Sequence, residues 1–146
     1  MQIYSKDFSS GGKISKEFTC DGEDKMPSLE VSGVPEAAKS LVLIIDDPDA
    51  PNGVWTHFIA WNILIPSDEG NFEISNFPQM GKTSDGSVGY HGPCPPSGTH
   101  RYFFRIFALD VLLSLPNGSS RQDLDRATQG HILEKAEIFG AYARDK

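Results

Sequence analysis

The chain has 146 residues, of which 38% are hydrophobic and 10% aromatic, and its formal net charge at pH 7 is −7. This length predicts one domain over residues 1–146, and the apolar content is too high for a disordered protein. The negative charge argues against broad nucleic-acid binding, because neutralising phosphates requires clustered lysine and arginine. It also disfavours docking on anionic membranes.

Targeting signals and cysteines bear on the compartment. No apolar stretch follows a basic one after Met1, and no apolar run approaches the roughly 20 residues of a membrane span. The two cysteines, Cys20 and Cys94, stand in a chain without a recognisable export signal, which favours reduced thiols over a disulfide. We therefore expect a cytoplasmic protein with no integral membrane segment.

The first third of the chain predicts short elements separated by turns. Ser9–Gly12 reads as a turn because it combines two serines with two glycines. Lys16–Thr19 is compatible with a short strand. Ser28–Ser32 alternates polar and apolar residues, as a half-buried strand does.

Three longer apolar runs predict the centre of the fold. They are Leu41–Ile45, Phe58–Ile65 and Arg101–Leu109. The first two are too short for helices and end at proline turns, which favours strands that are buried on both faces. The chain is therefore predicted to form a β-sandwich with peripheral helices.

The remaining segments predict a surface loop and two short helices. Ser67–Ser87 is rich in glycine, serine, asparagine and aspartate and reads as loop. Ser119 or Ser120 fits a helix N-cap, with Gln122 or Asp123 in capping-box register. Apolar residues recur at helical spacing after Gly130 and favour a second helix there: Ile132, Leu133, Ala136 and Phe139.

A stiff acidic turn follows the first apolar run. Asp46, Asp47 and Asp49 stand beside two prolines, which fix φ and hold the carboxylates in place. The Ala50–Pro51 bond is a candidate for the cis form, a feature of tight turns. An ordinary solvated acidic turn is the alternative interpretation of these residues alone.

Imidazole and phenol groups follow at the starts of the next two strands. His57 directly precedes an apolar run and is flanked by Trp55, while His100 and Tyr102 share one strand face. The Gly92–Gly98 loop combines glycines, which let backbone amides approach a ligand, with prolines, which hold the loop rigid. Together these groups predict a neutral cradle for phosphate or carboxylate, with a nearby aspartate orienting the imidazoles.

The sequence supports a catalytic function less well than it supports binding. Two histidines and one aspartate suit a metal by residue type, but the tight local spacing of known zinc sites is absent. Cys94 as a nucleophile with His100 as its base lacks a feature that would lower the thiol pKa. No serine stands in a strand-to-helix elbow. We predict no catalytic residue, no metal and no cofactor, and binding remains the simplest interpretation.

At these residues the chain resembles the phosphatidylethanolamine-binding proteins, also called the Raf kinase inhibitor protein family. It is most similar to the short bacterial and archaeal branch. The resemblance runs almost from end to end and rests on six segments: Phe18–Gly22, Ser32–Pro35, Asp47–Pro51, Trp55–Phe58, Gly89–Tyr102 and Gly130–Leu133. The Asp-Pro-Asp-Ala-Pro motif followed by Gly-x-x-Pro-Pro-x-Gly and His-Arg-Tyr is specific in order and spacing.

The resemblance implies an antiparallel Greek-key β-sandwich with a few short helices and a small anion pocket at one end. Carried over by position, four residues would line that pocket: Asp47, His57, His100 and Tyr102. Its walls would be formed by Asp49, Trp55 and the Gly92–Pro96 loop, which includes Cys94. Pockets of this family accept phosphate, acetate, cacodylate or the head group of phosphorylated ligands.

The implied function is a regulatory binding module that acts on partner proteins when its pocket is occupied. Three alternatives remain: a kinase or protease inhibitor acting through exposed loops, a weak hydrolase using the same pocket, and a scaffold with a vestigial pocket. The segment from Pro51 to Trp55 is shorter than in animal and plant relatives, so the resemblance does not extend to Raf inhibition. It also allows a homodimer, which occurs among bacterial relatives.

Overall fold

The protein is described here by a computed structural model that covers residues 1–67 and 70–144. In chain order the elements are β1 (Gln2–Tyr4), a 3-10 turn (Lys16–Phe18), β2 (Glu30–Ser32), β3 (Ser40–Asp47), β4 (Trp55–Ile63), β5 (Phe72–Glu73), β6 (Gln79–Met80), β7 (His100–Leu109), α1 (Arg121–Thr128) and β8 (Ile132–Tyr142). The strands form two antiparallel sheets, one in the order β1-β2-β5 and one in the order β6-β4-β3-β7-β8.

The five-stranded sheet is built around β3. Every residue of β3 is buried, because β4 and β7 pair with its two edges and packed side chains cover both of its faces. The apolar run Leu41–Ile45 therefore has no solvent-facing side, which explains why it does not alternate with polar residues. The three predicted central strands are confirmed, with bounds that differ by a few residues.

The sheet has a different layer on each face. On one face, Leu43 and Tyr102 belong to a core that also includes Ile3 and Val31 of the small sheet. On the other face, Ile44 and Trp61 pack with Leu124 of α1 in a second cluster. The prediction of a mainly-β sandwich with peripheral helix is confirmed. The single-domain organisation of residues 1–146 stays a prediction.

The helix α1 begins as the sequence predicts. Ser120 is the N-cap, and its side chain accepts a hydrogen bond from the Asp123 amide, while the Asp123 carboxylate accepts one from the Ser120 amide. This reciprocal pair is the capping box that the spacing indicates. Within the described residues no helix has the length and apolar character needed to cross a bilayer.

Two secondary-structure predictions are wrong. Lys16–Phe18 forms a 3-10 turn, in which the Thr19 amide donates to the Lys16 carbonyl, and does not form a strand. The helix predicted after Gly130 is instead β8, which pairs with β7 along its length. Side chains alternate along β8, since Ile138 and Tyr142 are buried while Leu133 is exposed. Pairing with β7 thus outweighs the helical spacing of four apolar residues.

The Ser67–Ser87 segment is largely loop, as predicted, although the short strands β5 and β6 interrupt it. Residues 68 and 69 of this segment lie outside the described part. The Ala50–Pro51 bond is trans, since the described residues contain no cis peptide bond.

The expectation of reduced cysteines is wrong. Cys20 and Cys94 form a disulfide with a Cα–Cα distance of 5.5 Å across a sequence separation of 74 residues. The chain leaving the 3-10 turn runs beside the loop before β7, and the Cys20 amide donates to the Pro93 carbonyl. The expectation rested on compartment alone, whereas the fold places the two sulfurs side by side.

Candidate ligand-binding site

Three strand ends meet at one end of the large sheet. Asp47 at the end of β3 pairs with Trp55 at the start of β4, and Asp46 pairs with Phe103 near the start of β7. Because neighbouring antiparallel strands place the end of one beside the start of the next, the acidic turn and the two histidine segments lie together. The sequence separates them by up to 53 residues.

A bulge directs His57 to the cavity side of the sheet. The β3–β4 register shifts between Ile45, which pairs with Phe58, and Asp46, which pairs with Thr56. His57 is therefore the extra residue of β4, and such a bulge re-aims a side chain. Thr56 contacts Arg121 on the helix side, whereas His57 lines the cavity on the opposite side.

A cavity of about 400 Å³ opens at this end of the sheet. Eight of the nine predicted site residues line it: Asp47, Trp55, His57, Gly92, Cys94, Pro96, His100 and Tyr102. Seven further residues complete the lining: Cys20, Asp24, Ala50, Pro51, Asp85, His91 and Pro95. None of the described lining residues is lysine or arginine, so the cavity contains no permanent cation.

Asp47 orients His100. The His100 Nδ1 atom lies 2.7 Å from the Asp47 Oδ2 atom, and both side chains are almost fully buried. An ionised carboxylate only accepts hydrogen bonds, so Nδ1 carries a proton and Nε2 is the ring atom left for a ligand. The sequence predicts an aspartate–imidazole contact for both histidines, and the structure shows it for His100.

A backbone carbonyl, and not a carboxylate, orients His57. Its Nδ1 atom lies 2.6 Å from the His91 carbonyl oxygen. A carbonyl only accepts, so Nδ1 again carries the proton, and in the neutral ring Nε2 presents a lone pair. Burial lowers the pKa of His57, although the His91 carbonyl and the charge of Asp47 act in the opposite direction.

Tyr102 lies between the two histidines. Its ring stacks on His100 with centroids 6.4 Å apart and meets the edge of His57 at 5.3 Å. Burial, followed by the charge of Asp47, raises the pKa of Tyr102 well above its ordinary value. The hydroxyl therefore remains protonated at neutral pH and is available as a hydrogen-bond donor.

Gly92 allows the 92–98 loop to pack closely against the Phe18–Asp24 loop. The Gly92 amide donates to the Asp24 carboxylate at 2.8 Å and so is engaged within the protein. A Cβ atom at Gly92 would overlap the Phe18 carbonyl oxygen and lie 2.6 Å from the Asp24 carboxylate. The sequence interpretation, in which this glycine lets an amide reach a ligand, is replaced by close contact between two loops.

Asp49 is the predicted site residue that the structure leaves out of the cavity. Its carboxylate forms a two-point ion pair with Arg101, at 2.8 and 2.9 Å, and also accepts from the Arg101 amide. The Arg101 hydrogen bonds lower the pKa of Asp49 to about 2. This carboxylate fixes the turn after β3 to the start of β7 and is not among the residues that line the cavity.

Sequence reasoning missed the residues at the cavity mouth. The Ser87 hydroxyl lies 2.7 Å from His91 Nε2 and 2.5 Å from the Asp85 carboxylate. Ser87 and Thr83 hold the pKa of Asp85 far below its usual value. Thr83, Asp85 and Ser87 belong to a polar loop without a recognisable motif, so only the folded contacts indicate their place. Within the described residues, no group of three potential ligands is arranged to hold a metal ion.

The fold and the cavity define a mainly-β sandwich protein with a pocket at the end of its central sheet, where a few polar side chains converge within a largely apolar lining. The sequence profile of the phosphatidylethanolamine-binding proteins matches residues 4–143. The chain belongs to this family.

Relatives of known sequence include proteins named UPF0098 from two archaea. The Archaeoglobus fulgidus protein is 51% identical in an alignment of length 145 that covers 95% of this chain and 50% of that protein. The Methanothermobacter thermautotrophicus protein is 48% identical and is matched over 99% of both chains. The chain thus spans half the length of the first relative and nearly all of the second.

Solved structures of two relatives share the fold. A putative phosphatidylethanolamine-binding protein homologue from Chlamydia trachomatis has a TM-score of 0.90 at 42% identity, covering 99% of this chain and 97% of that one. Escherichia coli YbcL, described as a new member of the mammalian family, has a TM-score of 0.85 at 28% identity, covering 99% and 98%.

Proposed function

We propose that this protein is a binding module whose cavity takes a small anion or the head group of a phosphorylated ligand, and that the occupied form regulates a partner protein. The observation that carries this proposal is the convergence of His57, His100 and Tyr102 on one cavity. No described residue forms a hydrogen bond with Nε2 of either histidine, so both atoms are available.

The absence of lysine and arginine from the described lining makes the proposed binding depend on protons. In the neutral rings, both Nε2 atoms are acceptors, and Tyr102 is a donor. A fully ionised anion is therefore bound when an imidazole gains a proton, which creates a charge-assisted donor. A partly protonated anion can instead bring the proton itself.

The wall beside the imidazoles suits an organic group attached to the anion. Trp55 is 42% exposed and lines the cavity together with Pro51 and Pro95. Apolar lining with a few convergent polar groups is typical of small-molecule sites. This combination supports a phosphorylated organic ligand over inorganic phosphate as the physiological occupant.

Thermal unfolding with and without phosphate or phosphoethanolamine tests the proposal. With a dissociation constant of about 1 mM, ligand at about 10 mM adds roughly 1.4 kcal/mol to the free energy of unfolding. For a chain of this length the expected rise in Tm is roughly 4 to 5 °C. The His57→Ala variant should lose this ligand-induced rise.

The control is His131→Ala, because His131 is half exposed and pairs with Asp110 outside the cavity. That variant should keep the full rise. Equal shifts in wild type and His57→Ala would contradict the proposal and favour a scaffold with an idle pocket, which partner capture would then examine.

A weak hydrolase is the less supported alternative. Ser87 has one hydroxyl proton, and it donates that proton in a hydrogen bond to the ionised Asp85 carboxylate, which is the closer acceptor. His91 then donates to the Ser87 oxygen and does not act as its base. A screen for turnover of phosphoesters and carboxylic esters tests this alternative, as binding assays against kinases and proteases test the inhibitor alternative.

Cytoplasmic location remains a proposal. The Cys20–Cys94 disulfide argues against it, because disulfides persist in oxidising compartments and are rare in the cytosol.

A further inference from the structure

The cavity wall contains a cross-link that no step of anion binding uses. Cys20 and Cys94 both line the cavity and form a disulfide, and both residues are exposed to solvent. Exposed disulfides are the ones that exchange with external thiols, whereas buried structural ones resist reduction. The position and exposure of this disulfide therefore make it a candidate reactive group.

The disulfide joins two loops that other contacts also hold together. The Cys20 amide donates to the Pro93 carbonyl at 3.1 Å, and the Tyr90 hydroxyl donates to the Phe18 carbonyl at 2.7 Å. The Gly92 amide donates to Asp24. These hydrogen bonds do not depend on the sulfur–sulfur bond, so opening it leaves the loops neighbouring and the thiols near enough to re-form it.

We propose that Cys20–Cys94 is a dithiol–disulfide exchange site, and that its redox state sets the rigidity of the cavity wall. A thiolate of a thioredoxin-like or small-molecule dithiol attacks one sulfur and displaces the other as a thiolate, which takes up a proton. The second thiol of the reductant then breaks the mixed disulfide. Both cysteines end as thiols, and the reductant leaves as a disulfide carrying the two-electron oxidation.

Reduction of the disulfide affects the residues that line the cavity through Cys94. This residue stands between Pro93 and Pro95 and lines the cavity together with Tyr102. With the cross-link open, the segment before β7 keeps its hydrogen bonds to the Phe18–Asp24 loop but loses the covalent constraint. The Cys94 amide and the proline wall are then less firmly placed. The effect on ligand affinity rests on the proposed anion binding, whereas the exchange chemistry does not.

The first test measures reduction of the folded, oxidised protein by dithiothreitol, with alkylation and mass spectrometry to count thiols. Exchange in the native state predicts a rate that rises in proportion to dithiothreitol concentration without a plateau. A rate that levels at the global unfolding rate, measured by far-UV circular dichroism, would overturn the proposal.

The second test follows hydrogen exchange at the Cys20 and Gly92 amides in the oxidised protein, the reduced protein and the Cys20→Ser/Cys94→Ser variant. The reduced protein and the variant should exchange these amides several-fold faster, while amides of β3 stay protected. Unchanged exchange at both loop amides would overturn control of wall rigidity.

Phosphate titration of the same three samples extends the test to the ligand. Weaker binding by the reduced protein and by the double serine variant is expected. Equal affinity of all three samples would overturn control of the site. Should the oxidised protein bind no phosphate, the proposed function fails, and the reduction kinetics and amide exchange still decide whether the disulfide controls the wall.

Discussion

In the proposed anion binding, the protonation state of the His57 Nε2 atom determines the affinity of the cavity. The His91 carbonyl holds the proton of His57 on Nδ1, so neutral His57 turns an unprotonated Nε2 toward the cavity. Burial makes protonation of this ring harder than in water, as the lowered pKa indicates. Under the proposed function, a bound anion would supply a countercharge and would raise the pKa of His57 in the complex above that in the free protein.

The affinity for sulfate should therefore rise as pH falls. The rise begins at the higher pKa of the complex and ends below the lowered pKa of the free protein, because protons are taken up on binding only between the two values. One proton taken up gives at most about a tenfold gain in affinity per pH unit. Calorimetric titration between about pH 8 and pH 5 measures this gain, and sulfate stays a dianion throughout that range.

His57→Gln is the matched variant, since glutamine cannot titrate. Other titratable groups also line the cavity: Asp24, Asp47, Asp85, His91, His100 and Tyr102. The lowered pKa of Asp85 and the raised pKa of Tyr102 keep these two groups in one protonation state over this pH range, so any further pH dependence comes from the others. The variant should lose the part of the slope that one proton contributes. An identical slope in wild type and variant would show that proton uptake occurs at another of these groups.

At the scale of elements, the side chains of two adjacent β3 residues point to opposite faces of the sheet. Asp46 is buried on the helix side, where it pairs with Arg105 of β7 and Arg121 of α1. Asp47 is buried on the cavity side with His100. The sequence shows one acidic turn, and only the alternation of the strand separates a carboxylate that fastens α1 from one that orients an imidazole.

The close approach of two loops at Gly92 yields a prediction at this scale. Gly92→Ala should destabilise the protein by about 1 to 3 kcal/mol, because the new methyl group overlaps the Phe18 carbonyl and the Asp24 carboxylate, so the loops must separate. It should also weaken phosphate binding by displacing the cavity wall. Ser97→Ala is the control, since Ser97 is exposed on the same loop. Urea denaturation and phosphate titration measure both effects, and wild-type stability of Gly92→Ala would contradict the packing role.

The sequence predicts well those elements whose form is determined by a pattern within their own residues. The β3 run and the Ser120 capping box are local patterns, and the structure confirms both. The β8 strand is not local, because its form depends on pairing with β7, which the four apolar residues after Gly130 do not reveal. The bulge at His57 and the contact of Gly92 with Asp24 likewise arise only when distant segments meet.

At the scale of the whole molecule, one covalent bond fastens the two halves of the chain at the cavity end. The segment between Cys20 and Cys94 contains β2 to β6, and thus includes the central strand of the large sheet. Closing so long a loop restricts the unfolded chain far more than it changes the folded one. The disulfide should therefore contribute to global stability even though it lies at one exposed edge.

The Cys20→Ser/Cys94→Ser variant should consequently be less stable than the oxidised protein by up to about 4.5 kcal/mol, the chain-entropy value for a loop of this length. Its denaturant m-value should be larger, because the unfolded chain without the cross-link expands and exposes more surface. Guanidinium denaturation of the oxidised protein, the reduced protein and the variant gives both quantities. Reduced protein and variant should agree with each other, since both lack the same constraint. A variant with an unchanged midpoint and m-value would show that the native hydrogen bonds between the two loops already persist in the unfolded ensemble, so that the cross-link restricts nothing further.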